Sequence, residues 1–212
     1  MARELGVRNL TAFKREGESY GQAVRLKNCV SLNTTNNYNE REYYSDCTTE
    51  HSSATLQNVD VEIEMSSSMG LKLLAELTGQ EYANGKMATV VGAVVPQFAL
   101  AYEVLMDDNT TRRRVLYNCN LRKEEQSNET ESEGETWTLV GKALPVEYND
   151  KEYVDLWMGE SEINAIVDAD TKAKYKKEFN EFFTKVIMPG EPASKGAILG
   201  TFALGEKHLG EK

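Results

Sequence analysis

Histidine is nearly missing from this chain of 212 residues, with two in all, and cysteine is scarce, with three. Cys29, Cys47 and Cys119 are odd in number, widely spaced and without a CxxC pair. That pattern excludes a disulfide framework and the common zinc sites, and it reads as reduced thiols in a cytosolic product. Cys119 alternates inward on a strand as a small core residue. His51 and His208 fall in a polar loop and a tail, where they read as idle. No glycine-spaced loop ends in GK[ST], and neither GxGxxG nor GxSxG occurs. Phosphate-cradling, dinucleotide and serine-hydrolase chemistry are therefore without support. Long apolar runs are absent too. The longest, Val90 to Val95, is broken by Gly92 and falls far short of the roughly 20 residues that cross a bilayer. The opening MARELGVRNL has no apolar signal core, which argues against export by a cleaved signal. Positive charge is the minority sign, with Lys+Arg at 24 against Asp+Glu at 34 and a net charge of −10. An acidic chain is poorly suited to counterion-releasing DNA binding or to an anionic membrane surface. Residues 122–135 hold no apolar side chain and read as an exposed loop; the Glu129 to Glu135 run within them lacks the spacing and glycine of a calcium loop and reads as a solvated hairpin tip. The expectation is a protein that is not an enzyme, with no catalytic residues, no metal and no cofactor.

What is present is strand patterning. Val59, Val61, Ile63 and Met65 alternate with Asn58, Asp60, Glu62 and Glu64, which predicts a strand with one apolar and one acidic face. Three serines follow, a candidate helix N-cap. Met69, Leu73 and Leu77, with Leu74 beside them, form the stripe of a short amphipathic helix, and Gly79 suits its C-terminal cap. This strand–helix unit needs a third surface to cover both apolar faces, and the rest of the chain must supply it.

Residues 5–13 and 24–32 read as the first two strands, with Val24, Leu26, Asn28, Val30 and Leu32 on one side of the second. Residues 33–55 hold almost no aliphatic side chain but include Tyr38, Tyr43 and Tyr44. The stretch reads as a solvated loop or as a binding arm, since tyrosines give large contact area at low entropy cost. Asn84-Gly85 predicts a tight turn between short strands. Residues 98–105 and 112–121 predict a hairpin, with Phe98, Leu100, Tyr102 and Val104 sharing one face and Val115, Tyr117, Cys119 and Leu121 another. Residues 137–146 and 152–158 predict two further strands. Asp168 or Asp170 caps a helix over about 172–186. Its stripe contains Phe179, Phe182 and Phe183, which are set to pack on the strands, and Pro189-Gly190 stops it. Residues 191–212 read as an extended arm.

The order of these segments resembles the major tail tube proteins of long-tailed, siphovirus-type bacteriophages. The resemblance is carried by GVRNLTAF with YGQAVRLKNCVSLN, by YYSDCTTE at Tyr43 to Glu50, and most specifically by NVDVEIEMSSSMGLKLLAELTGQEY. FALAYEVLMDDNTTRRRVLYNCNL and TWTLVGKALP continue it, so that it covers about residues 3–158. It implies a β-sandwich with a short flanking helix over residues 1–158 and long assembly arms including 33–55; the C-terminal helix and extended tail over 159–212 lie outside the resemblance and rest on the residue pattern alone, as part of the core or an addition to it. It also implies hexameric rings that stack into a hollow tube in the virion tail, made in the host cytoplasm. The long loop with Tyr38, Tyr43 and Tyr44 would touch a neighbouring ring. Tape-measure and tail-terminator proteins would be partners, and genomic DNA would pass through without specific binding. A repeating heterologous contact is what builds a filament, and sheet edges from several subunits can close one barrel. Asp60, Glu62 and Glu64 either line the lumen, where carboxylates repel phosphates, or form a solvated outer face. Two other readings stay open: the inner-tube protein of a contractile injection machine, and a monomeric β-sandwich binding module on a particle surface.

Overall fold

The computed structural model describes residues 3–45, 48–126 and 135–190, with side chains described over 3–40, 53–124 and 135–190. Its strands are β1 (Glu4–Glu16), β2 (Ser19–Arg25), β3 (Cys29–Ser45), β4 (Thr48–Ser66), β5 (Glu81–Ala83), β6 (Lys86–Ala88), β7 (Gln97–Met106), β8 (Thr111–Gln126), β9 (Thr136–Ala143), β10 (Val146–Tyr148), β11 (Lys151–Tyr153) and β12 (Asp155–Gly159). The helices are α1 (Leu71–Thr78), α2 (Glu160–Asn164) and α3 (Ala169–Glu181).

The chain is mainly β, and its principal sheet runs β2-β1-β7-β8-β9-β4-β3, with β12 added beside β8. The sandwich expectation needs correcting in form: the described strands make one long sheet that curls without closing, not two facing sheets. The curl is visible in the contacts. Thr34 of β3, at one end of the strand order, accepts a 2.8 Å hydrogen bond from Arg114 of β8 in the middle. Residues of β1, β4, β7, β8, β9 and α1 also meet in one apolar cluster.

Alternation places the two cores. On β7, Phe98, Leu100, Tyr102, Val104 and Met106 face the cluster that α1 closes with Met69, Leu74 and Leu77. Ala99 and Ala101 face a second cluster, built with Phe13, Val115, Tyr117, Met158, Ile163, Phe179, Phe182 and Ile187. Buried on both sides, β7 reads as a continuous apolar run. The helices after residue 158 thus share a core with strands before it.

β8 departs from the predicted single face. Val115 and Tyr117 point into the second cluster while Cys119 and Leu121 point into the first. Asn118 lies between them at φ 46°, and a left-handed residue breaks the period-two count. The same residue marks a change of partner. Before it, β12 pairs with β8 from Arg112 to Leu116; after it, β9 pairs from Cys119 to Gln126. Gly141 of β9 makes the tight passage possible. A Cβ there would sit 1.7 Å from the Asn120 carbonyl oxygen, so close backbone approach requires glycine.

Three local expectations also change. The strand predicted over 24–32 is cut by Asn28 at φ 69°, giving β2 and β3 as separate strands. α1 is capped by Gly70 without a side-chain hydrogen bond, and the serines instead bond one another and Asn28. Residues 33–55 are not a loop: β3 and β4 pair from Cys29↔Met65 to Ser45↔Thr48. Asn84 and Gly85 turn between β5 and β6 with positive φ at both, and Gly79 ends α1 at φ 71°.

Candidate assembly interface

Strands β3 and β4 pair as a long antiparallel ribbon. Its base is held in the sheet, because β4 pairs with β9 from Val59↔Ala143 to Ser66↔Thr136. Beyond Val59, among the described residues, β9 no longer pairs with β4, and β3 and β4 continue as a two-stranded ladder from Tyr38↔Leu56 to Ser45↔Thr48. Eight residues of strand extend about 26 Å at about 3.3 Å per residue. Threonine and tyrosine favour an extended backbone, and both faces are polar, so the ribbon forms without a core. An isolated two-stranded hairpin is marginal in water. Tyr38 is exposed near its base, and Asn37 and Asn58 bridge the strands at 2.8 Å. Tyr43 and Tyr44 pair by backbone with His51 and Thr49; their side chains lie outside the described residues.

Asp60, Glu62 and Glu64 lie together on the outer face of β4, opposite the buried Val59, Val61, Ile63 and Met65. Their surroundings differ. Lys142 Nζ stands 3.5 Å from Asp60 Oδ1 as an ion pair without hydrogen-bond geometry. Glu64 accepts from Thr136 at 2.8 Å and from Ser31 at 3.2 Å, while Glu62 is exposed. The face continues over Asn33, Thr35, Asn120, Arg122, Glu124, Val140 and Lys142 as an open groove of about 420 Å³. It is acidic but mixed, with Lys142 against Asp60 and Arg122 4.0 Å from Glu124.

Edges form the third element. Among the described residues, β2 and β3 end the sheet, and each carries an unpaired row of backbone groups, a ready template for another chain.

Two buried charged clusters hold the scaffold. Glu103, 3% exposed, accepts from Arg8 at 2.7 Å and from Arg113 at 2.8 Å. Arg113 also lies over the Phe179 ring at 3.9 Å and donates to the Phe179 carbonyl, which fastens α3 to β8. On the other face Arg114 meets Asp155 at 2.6 Å, Thr34 at 2.8 Å and Tyr102 at 3.1 Å, with its guanidinium over Trp157 at 4.6 Å. Pairing of this kind lets buried charge persist. Neither cluster was visible in the sequence; the signal was only arginine and glutamate interrupting apolar strands. Phe179 and Phe182 are buried against the sheet and Phe183 is half-buried. Of the three, Phe179 lies within α3, Phe182 caps its C-terminus and Phe183 follows it; the helix runs over Ala169–Glu181, starting and ending earlier than the predicted 172–186 and stopping well before Pro189-Gly190, with Asp168 accepting from the Thr171 amide at 2.8 Å. Tyr117 donates to the Ile187 carbonyl at 2.7 Å, pinning the chain beyond α3.

The chemistry is quiet. Burial pushes the Cys119 thiol well above its ordinary range, and burial with the nearby Glu64 charge pushes Cys29 up to about 11. Both therefore stay protonated near neutral pH. Among the described residues no three His, Cys, Asp or Glu side chains gather as a metal site, and no helix is long and apolar enough to cross a membrane.

No family model matches this chain and no curated protein matches it. Among solved structures, one similar chain belongs to the cryo-EM structure of the anti-feeding prophage baseplate, 6-fold symmetrised. The two are 8% identical and align with a TM-score of 0.41, over 75% of this chain and 98% of that one. A likeness of that size carries no argument about function.

Proposed function

We propose that this chain is a structural subunit of a phage-type particle, which polymerises as stacked hexameric rings into the tail tube through which DNA leaves. The observation that carries the reading is the β3–β4 ribbon, which runs past the last strand able to pair with it. Such a ribbon gains from ordering only against another molecule. Two open edges on one curled sheet supply lateral joins between copies, and the ribbon supplies a join along the axis. The outer face of β4 and β9 then lines the lumen. Glu62 projects there, and the partial pairing of Asp60 with Lys142 keeps the wall mildly rather than strongly negative. Phosphates are repelled without being held. The motif order of residues 3–158 supports the same reading. Tape-measure and tail-terminator proteins are the partners it brings with it.

Negative-stain microscopy and sedimentation of the purified chain over rising concentration test the reading. Rings or tubes of regular repeat are expected. A chain that stays a single particle at the highest soluble concentration overturns it.

A further inference from the structure

The buried acid Glu103 is outnumbered by bases. On β7 it stands directly across from Arg8 of β1 and from Arg113 of β8, in one row over three neighbouring strands. Arg8 donates through Nε to one carboxylate oxygen at 2.7 Å, and Arg113 donates through Nε to the other at 2.8 Å. A bulge adds a further donor. The β1–β7 register shifts between Arg8 and Thr11, and Asn9 sits at φ 58°. Two successive side chains thus turn to one carboxylate, where a regular strand sends them to opposite faces. Asn9 Nδ2 donates to Glu103 at 3.2 Å, and Asn9 Oδ1 accepts from Arg25. Around the other buried arginine the count is even, with Arg114 against Asp155.

The surplus opens on a cavity. About 520 Å³ lies between β1, β8, α2 and α3, bordered by Arg8, Arg113, Lys176, Glu160 and the side chains of Asn164 and Asn180. Glu160 is already engaged, accepting from the Thr111 amide and hydroxyl at 3.1 Å each. Arg113 is fixed by the Phe179 ring and carbonyl. The side chains of Lys176, Asn164 and Asn180 make no hydrogen bond or ion pair among the described residues. Three cations therefore meet two carboxylates, Glu103 and Glu160, in a chain whose net charge is −10. Charge drawn out of water needs a counter-charge, and an arginine held at Nε still offers its Nη donors to one. The volume is that of a small-molecule site.

We infer that this pocket binds a carboxylate, held by Arg8 and Lys176, with Asn164 and Asn180 receiving the polar groups attached to it. The surplus is a single charge, which suits a monoanion; a phosphate dianion would exceed it and face Glu160. A free small acid and an acidic side chain of a partner protein present the same group, and the test separates them. The inference stands apart from the tube reading.

The test is NMR of the full chain, reading the Nε–H groups of Arg8 and Arg113 and the side-chain amides of Asn164 and Asn180. Sodium acetate and a hexaglutamate peptide are titrated separately against sodium chloride of equal ionic strength. Saturable shifts at these groups are expected with a carboxylate and not with chloride. Peptide binding tighter than acetate, counted per carboxylate, assigns the site to a partner's side chain; otherwise it belongs to a free acid. Lys176→Gln should weaken acetate binding about tenfold, the loss of one charge-assisted hydrogen bond. Asn180→Asp supplies the missing charge from α3 and should abolish binding. Both positions are exposed, so the fold is kept in each variant. Equal shifts with chloride, phosphate binding tighter than acetate, no saturable binding, or wild-type affinity in either variant overturns the inference.

Discussion

The two halves of the β3–β4 ribbon are one hairpin under two regimes. In the half nearest the sheet, β4 alternates buried Val59, Val61, Ile63 and Met65 with outer carboxylates and is flanked on both sides by strands. In the outer half the antiparallel ladder continues with register shifts at Asn37/Tyr38 and Tyr43/Tyr44, and among the described residues β9 no longer pairs with it. β4 thus carries two ladders at the base and, among the described residues, one beyond it. The larger difference lies in apolar burial, the larger net term in stability. The base is held by that burial, and the outer half is not.

That contrast can be broken most forcefully at the base. Gly141→Ala forces a Cβ into the Asn120 carbonyl and should cost more than about 4 kcal/mol, read as a collapse of the urea midpoint or loss of soluble protein. Next comes the face that neither half touches. Phe182→Ala empties a fully buried site in the second cluster and should cost about 3–5 kcal/mol; an unchanged midpoint would mean that α3 is not part of the cooperative fold. The tip should behave in the opposite way. Replacing Tyr38, Tyr43 and Tyr44 with Ser should leave monomer stability within about 0.5 kcal/mol yet weaken stacking seen by microscopy. Amides at Asn39 and Thr55 should exchange about a hundredfold faster in the free subunit than those at Val61 and Ile63, and the gap should narrow in the assembly. Equal exchange in the free subunit would erase the distinction between base and tip.

The smallest effect is a control far from the ribbon. Hydrogen bonds from the Thr171 side chain and amide hold the Asp168 carboxyl below its ordinary value. A depressed acid stabilises above its unfolded value and loses that contribution as pH falls through the folded one. Asp168→Ala should therefore lower helix content at neutral pH by a small amount seen in circular dichroism, and the difference from wild type should vanish in acid. Asp168→Asn, still an acceptor, should keep the cap throughout.

Where burial made a period, the sequence was readable. The β4 alternation, the α1 stripe, the β7–β8 hairpin and the Asn84-Gly85 turn follow from side-chain spacing or from one demanding φ. The ribbon was not legible as strand because a stretch polar at nearly every position has no alternation to show; threonine and tyrosine propensity was the remaining clue. The face of β8 was misread because Asn118 shifts the count midway. Of the candidate site, the acidic trio could be placed on one face, but its pairing with Lys142 depends on the β4–β9 register. Residues 90–95 were visible only as an apolar run too short for a membrane; in the structure the chain turns at Gly92, with Val91 and Val94 exposed on either side of it. The buried charged clusters depend on strands distant in sequence and left no local pattern.

The pairing of the ribbon also decides how it carries load. A pull on its tip along the strand axis loads β3 and β4 together. β4 is stitched to β9 over Val59–Ser66, so it passes the force into the body in shear, with the rungs of that ladder strained at once. β3 has β4 as its ladder partner and an open outer edge, and sideways tension peels its rungs singly. The joint is stiff along the strand and weak across it. A filament built on it resists stretching and yields first by splitting sideways.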